Sequence, residues 1–315
     1  LAHLLDNENI ADVNQAICDG KTTELILSCE AIFNNNLSLI AQEIINAGKK
    51  FVFLAGPSSS GKTSTAYRLA YALRSYGIIP RVISADNYYL DYADRRIDEN
   101  GNPDFESIYA LDLDKFNDDM QALMRGEEVE LPYYNFKTGK REYNGNIIDL
   151  GDKDILIVEG IHCLNEQFSY SIPSDKKYKL CVSALPPLNI DEHNRLTSSD
   201  LRLIRRLVRD DRSRAHNAAL TLRKWPDVRK GEEDNIFPYT ETADKILNTA
   251  ILYELAAIKP FAERILFGVP RDSDEYFKAK ELLKILDFVI PISTDLIPAH
   301  SIVREFIGGS CLNVG

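Results

Sequence analysis

The sequence predicts an α/β fold: a parallel sheet flanked by helices, with an arginine-rich helical lid, a small β insertion and helical additions at both ends. Three observations predict it. The first is Gly56-Pro57-Ser58-Ser59-Ser60-Gly61-Lys62-Thr63, which fits the pattern G-x-x-x-x-G-K-[ST]. An apolar, β-prone run from Phe51 to Ala55 precedes it, and a stretch apolar at helical spacing, Ser64 to Leu73, follows it. Strand, glycine loop and helix in that order are the context of a phosphate-binding loop. The second is Asp154-Ile155-Leu156-Ile157-Val158-Glu159, a continuous apolar run of the kind buried on both faces of a parallel sheet. The third is a run of arginines between Ser199 and Arg214, spaced to share one helix face. Together they place the fold in the P-loop NTPase type.

Composition sets limits on function. The 315 residues suffice for one large α/β domain with additions. A net charge of −11 argues against a general nucleic-acid or anionic-membrane binder, which needs a basic surface. A bound nucleotide needs only a local positive pocket. The five cysteines, Cys18, Cys29, Cys163, Cys181 and Cys311, are scattered and form no C-x-x-C, so neither a zinc site nor a disulfide framework is expected. They read as buried free thiols in a reducing cytosol. No apolar run approaches the ~18 residues of a spanning helix, and no signal peptide is visible, so a cytoplasmic protein is expected. Because the chain starts at Leu1 and not Met, it is expected to be a piece of a longer one.

Residues 1–48 read as a helical lead-in, with Leu25, Ile26, Cys29, Ile32, Phe33, Leu37, Ile40 and Ile44 at helical spacing. Thr22 or Thr23 is the expected cap and Gly48 the expected stop. Residues 49–315 read as the phosphate-loop domain. Its loop glycines, Gly56 and Gly61, let successive N–H groups face one concavity, and the helix start adds its own unpaired N–H groups. The expected phosphate-binding set is Gly56, Ser58, Ser59, Ser60, Gly61, Lys62, Thr63 and Ser64, with Lys62 supplying a point charge and the Thr63 hydroxyl suited to Mg²⁺. The helix should run to about Tyr76 and end at Gly77. Arg81 to Asp86 is the next strand candidate, with Asp86 at its carboxyl end, where ligands of open parallel sheets sit; a helix cap or turn is the alternative for Asp86. Residues 91–110 are polar and irregular, with Asn100-Gly101-Asn102-Pro103 as a turn. Asp112 to Arg125 should be a helix closed by Gly126. Residues 129–150 form the β insertion, turning at Thr138-Gly139; its tyrosines and Phe136 suit either an aromatic core or a platform for a flat ligand. Glu159 ends the buried strand 154–159 as a second acidic group over a magnesium ion. Tyr178 to Ala184 is a further strand.

The lid is expected at about 199–230, with Ser199 or Asp200 as cap. Arg202, Arg205, Arg206 and Arg209 fall at i, i+3, i+4 and i+7, and Asp210 and Asp211 neutralise part of their charge. A solvated, salt-bridged face is the plain reading of such a run. In a chain with a phosphate loop, the sharper reading is a lid reaching the transferring phosphate, since arginine's planar fork binds two oxygens. Ala243 to Asn248 is the last strand candidate. The C-terminal extension, about 250–315, should hold a helix from Ile251 stopped near Pro260, an amphipathic helix from Ser273 to Phe288, and a short one from Ile302 to Ile307.

The phosphate loop, Ser84-Ala85-Asp86-Asn87-Tyr88-Tyr89, Tyr134-Asn135-Phe136, Val158-Glu159-Gly160-Ile161 and the arginine stretch occur in the order of the uridine kinase family, within the phosphoribulokinase/uridine kinase group. The resemblance covers about residues 50–250. The ends resemble a bacterial branch in which the kinase follows a region similar to the N-terminal part of threonyl-tRNA synthetase, a region not present here. The resemblance implies a kinase that uses ATP and Mg²⁺ and phosphorylates the 5′-hydroxyl of a nucleoside, uridine or cytidine first. Asp86 would take the proton of that hydroxyl and lie near the metal, which Thr63 and Glu159 would complete. Lys62 and, from the lid, Arg202 and Arg205 would act on the phosphates. Asp104 would hold ribose hydroxyls; Tyr89, Tyr134 and Phe136 would line the base pocket, and Arg141 belongs to the substrate-binding set. Two departures stand out. The family usually has a base-reading histidine three residues after the phenylalanine of Tyr-x-Phe, and here Gly139 stands there. The family's Arg-Gly-Arg after the lid helix reads Arg214-Ala215-His216. A kinase of a sugar, polyol or other small alcohol is therefore a second expectation, and a regulatory ATPase or RNA-linked module a third. The expected partner is a small molecule, with no membrane and no nucleic acid; a homo-oligomer stays open.

Overall fold

The computed structural model describes residues 9–94, 106–190, 193–214 and 216–314. Its strands, in chain order, are β1 (Phe51–Ala55), β2 (Ile79–Ser84), β3 (Val129–Asn135), β4 (Lys140–Ile148), β5 (Asp154–Glu159), β6 (Lys177–Ser183) and β7 (Lys245–Asn248). Five of them form one sheet in the order β2-β5-β1-β6-β7, and every pairing in it is parallel. β3 and β4 form a separate antiparallel hairpin, the expected β insertion. The helices are α1 (Ile10–Cys18), α2 (Thr22–Asn46), α3 (Lys62–Ser75), α4 (Leu113–Met124), α5 (Ser198–Ser213), α6 (Ala218–Asn235), α7 (Glu254–Leu266), α8 (Tyr276–Asp287) and α9 (Val303–Ile307). The fold is the α/β, phosphate-loop type that the sequence predicts.

β1 is central, so all five of its residues are buried. Its period of two sorts them between two cores. Val52 and Leu54 join the larger core, built with α2, α3, α5 and the C-terminal helices, while Phe51, Phe53 and Ala55 join the smaller one, built with α4 and the hairpin. In the smaller core Phe116 stacks on Phe168 at 4.2 Å between ring centres, and Phe53 meets both edge-on. The register brings Ser84 of β2 level with Glu159 of β5, and Leu54 of β1 level with the same residue. The carboxyl ends of three neighbouring strands thus open on one edge.

Some element ends differ from expectation. α2 starts after Lys21, with no side-chain cap, and Thr22 is already helical. Thr197 caps α5, not Ser199 or Asp200: its hydroxyl accepts from Asp200 N–H at 3.0 Å. α7 passes through Pro260 and ends at Leu266. Proline removes the N–H that would bond the carbonyl four residues earlier. That carbonyl, of Ala256, accepts from Ile292 N–H at 3.1 Å, so the break leaves no group unmet. The larger difference concerns the lid. Leu201, Leu203, Ile204, Leu207 and Val208 of α5 are all buried, and the helix packs on α6, α7 and α9. The arginine-rich helix is a wall of the core and not a flap standing off it. Among the described residues no helix is long and apolar enough to cross a membrane.

Candidate active site

The loop between β1 and α3 is built to close tolerances. A Cβ on Gly56 would lie 2.1 Å from the carbonyl oxygen of Val182, so only glycine fits there. Gly61 caps α3 at φ +81, in the left-handed region. Ser59 holds φ +59 without being glycine, a conformation that persists only where neighbours enforce it. The enforcement is visible. Arg202 donates to Ser58 O at 3.1 Å, Arg205 to Ser59 O at 3.2 Å, and Thr249 Oγ1 to Ser60 O at 2.6 Å. Three successive carbonyls are tied from behind. Lys62 Nζ donates to Gly56 O at 2.9 Å and Pro57 O at 3.3 Å.

A cavity of about 280 Å³ opens over this loop, lined by Ser58, Ser59, Gly61, Lys62 and Thr63 on one side. The strand ends contribute Asp86 and Glu159 to the same cavity. Asp86 lies on a 3₁₀ turn just beyond β2, and Ser84 Oγ caps that turn by accepting from the Asp86 N–H at 3.3 Å. Gly160 lets the two strand ends come together, since a Cβ there would lie 2.6 Å from Ala85 Cβ. Thr63 Oγ1 donates to Glu159 Oε1 at 3.4 Å. Burial pushes the Glu159 carboxyl up to about 7; Lys62 opposes this, and Asp86 and Glu305 add to it. A half-buried carboxylate beside a second acid and a hydroxyl is a set of hard oxygen donors that suits Mg²⁺, which usually takes one or two carboxylates and completes its shell with phosphates and water. The described residues hold no group of three or more His, Cys, Asp or Glu that could hold a metal ion.

The arginines divide into two tiers. Arg202 and Arg205 are fully buried and lie behind the loop, Arg202 paired with Glu232 and Arg205 with Glu254. Neither lines the cavity. Arg206, Arg209 and Arg214 do. The buried Asp210 gathers all three, at 3.2, 3.0 and 3.6 Å, and Arg206 also donates to Ser58 Oγ at 2.7 Å. Burial lowers the Arg206 pKa, and Arg209 lowers it further, against Asp210. Crowded, partly desolvated cations are the surroundings a polyphosphate would relieve.

On the opposite side, Tyr89 lines the cavity and meets Tyr134 at 5.6 Å and Phe136 at 6.3 Å, edge to face. Tyr134 is a core residue, whereas Phe136 is 64% exposed, so the cluster joins core to surface. Arg141 is not brought to the cavity: its guanidinium pairs with Asp112 at 2.7 Å and its N–H is held by Asp91. Asp104 lies outside the described residues. Gly139 sits at φ +68 with Tyr92 over it, and a Cβ would lie 3.0 Å from Tyr92 Cβ, so a histidine there would be strained in this turn. Sequence reasoning missed Glu106, Glu232 and Glu305, which line the cavity, and Thr249 and Glu254, which brace the loop. No local spacing marks them; each arrives from a distant element.

A cradle for anions facing a strand-end acid across one small cavity does one kind of chemistry well: it moves a phosphoryl group from a nucleotide to a hydroxyl. The fold is that of a P-loop kinase. The profile of the phosphoribulokinase/uridine kinase family matches residues 51–252. A uridine kinase of Oceanobacillus iheyensis is 30% identical over 195 residues, covering 62% of this chain and 83% of that one. One of Staphylococcus aureus is 28% identical over the same length, 62% of this chain and 84% of its own. The structure of a possible uridine kinase from Bacillus stearothermophilus aligns over 47% of this chain and 79% of that one, at 21% identity and a TM-score of 0.39. The chain belongs to the phosphoribulokinase/uridine kinase family, and it is a phosphotransferase with an alcohol acceptor.

Proposed function

We propose that this chain transfers the γ-phosphate of ATP to the 5′-hydroxyl of a nucleoside, uridine or cytidine first. The observation that carries the reading is that Lys62, Thr63, Asp86 and Glu159 line one cavity with Arg206, Arg209 and Arg214. In the reaction, Lys62 leaves the carbonyls of Gly56 and Pro57 for the phosphates. Thr63, Glu159 and Asp86 would hold Mg²⁺, whose charge offsets that of the phosphate oxygens. Asp86 orients the acceptor hydroxyl and takes its proton as the oxygen attacks the γ-phosphorus in line. Arg206, Arg209 and Arg214 offset charge on the transferring group, the task the sequence reading gives to Arg202 and Arg205. Those two instead hold the loop in shape by its carbonyls. Tyr89 and Phe136 offer ring faces to a flat base, and a small soluble acceptor suits a cytoplasmic setting.

A second reading, a sugar, polyol or other small alcohol as acceptor, is favoured by Gly139. Its positive φ and the Tyr92 contact would strain a base-reading side chain there, and a lost hydrogen bond to the base is what relaxes discrimination. An acceptor screen with ATP and Mg²⁺, read by the mass of the phosphorylated product, separates the two. Product with uridine or cytidine and none with sugars or polyols is expected. Product only with non-nucleoside alcohols overturns the first reading, and ATP hydrolysis indifferent to any alcohol overturns both.

A further inference from the structure

The helix α9 lies outside the stretch that the family's profile matches, yet it puts a side chain on the phosphate loop. Glu305 Oε2 accepts from the Ser64 hydroxyl at 2.6 Å and from the Ser64 N–H at 3.3 Å. Ser64 is the third residue of α3, so its N–H is one of the first-turn donors with no partner inside the helix. Donors of this kind bind anions at a phosphate loop. Glu305 lines the same cavity and is only 9% exposed.

Its position is held firmly. Arg212 donates to the carbonyls of Glu305 at 2.9 Å and Phe306 at 3.2 Å, and Arg205 lies 5.0 Å over the Phe306 ring. A second acid on the loop, Glu232, accepts from Ser58 N–H but is matched by Arg202 and Arg229. Among the described residues Glu305 has no such cation within ion-pair distance. A carboxylate oxygen and a phosphate oxygen compete for the one N–H, and at that separation the two charges repel.

We propose that Glu305 is an affinity-setting residue of the phosphate site: it occupies the Ser64 N–H and hydroxyl, and a triphosphate donor seats only as its carboxylate gives way. The inference rests on the kinase reading above. Glu305→Gln keeps the shape and removes the charge. Tripolyphosphate, which lacks base and metal alike, is the probe, titrated in EDTA by calorimetry into wild type and variant. About tenfold tighter binding is expected in the variant, the size of one hydrogen bond to a charged group. The KM for ATP should fall while that for the acceptor stays. Ser64→Ala, which removes the hydroxyl that anchors Glu305 and keeps the N–H, should shift affinity the same way by a smaller factor, and it serves if the glutamine variant does not fold. Equal or weaker tripolyphosphate binding, or a rise in both KM values with a lower melting temperature, overturns the proposal and leaves Glu305 as a helix cap. If wild type binds neither tripolyphosphate nor ATP, the loop is not a phosphate site and the kinase reading falls too.

Discussion

Lys62 and Asp86 line one cavity, and the proposed function gives them different work that substitution should part. Among the described residues Lys62 bonds the loop carbonyls of Gly56 and Pro57, so its ammonium is held where a phosphate can claim it. Lys62→Ala should weaken ATP binding and slow turnover together; unchanged kinetics would remove the loop from the chemistry. Asp86→Asn keeps the size of the side chain and loses the proton acceptor. It should leave ATP binding nearly intact and cut turnover by roughly 10²–10⁴-fold, the range of a positioned general base. Turnover like wild type from that variant would show that another group takes the proton. Both residues are legible in the sequence because their surroundings are local: a glycine pattern before a helix, and an acid at a strand end. Arg141 shows the limit. Its pairing with Asp112 joins two segments 29 positions apart, and nothing in its own neighbourhood announces that.

α5 was legible as a helix, and its arginines as one face, but not which tier of that face meets the cavity. Packing decides this. Leu201, Ile204 and Val208 turn the helix into the core, so Arg202 and Arg205 fall behind the loop and Arg206 and Arg209 before it. The deep pair is matched by acids from α6 and α7. Removing one member of such a pair leaves a buried charge unmatched, at a cost of about 3–5 kcal/mol. Arg205→Met should therefore lower stability by about that amount in a denaturant titration, and Arg205→Met with Glu254→Leu should recover most of it. If Arg205 acted chiefly as a phosphate clamp, the single variant would keep its stability and lose only activity. The loop's left-handed Ser59 depends on the same guanidinium, so the single variant is expected to lose ATP affinity as well.

The molecule is organised around one sheet with a core on each side, and its ends are part of that organisation. α2 contributes Ile26, Cys29, Phe33, Leu37, Ile40 and Ile44 to the larger core, all buried. Its Glu30 pairs with the buried Arg68 of α3, the helix of the phosphate loop, and accepts from Tyr253 beside α7. Removing residues 1–46 should therefore give protein that does not fold alone, seen as loss of a cooperative melt; a truncated chain that melts cooperatively and binds ATP would make the lead-in dispensable. Whatever depends on neighbours in the chain was determined by the sequence itself: strand β1, the loop and α3, the acids at the ends of β2 and β5, the hairpin, the helical ends. Those are set by periodicity, glycine backbone freedom and the local order of residue types. What only the tertiary structure decided is which distant side chains close the site: Thr249 and Arg205 behind the loop, Glu232 and Glu305 upon it, Arg206, Arg209 and Arg214 across it. Sequence spacing ranks neighbours along one helix or strand, whereas these groups meet because separate elements bury their apolar faces on the same sheet, and the geometry of that burial leaves no trace in any one stretch of residues.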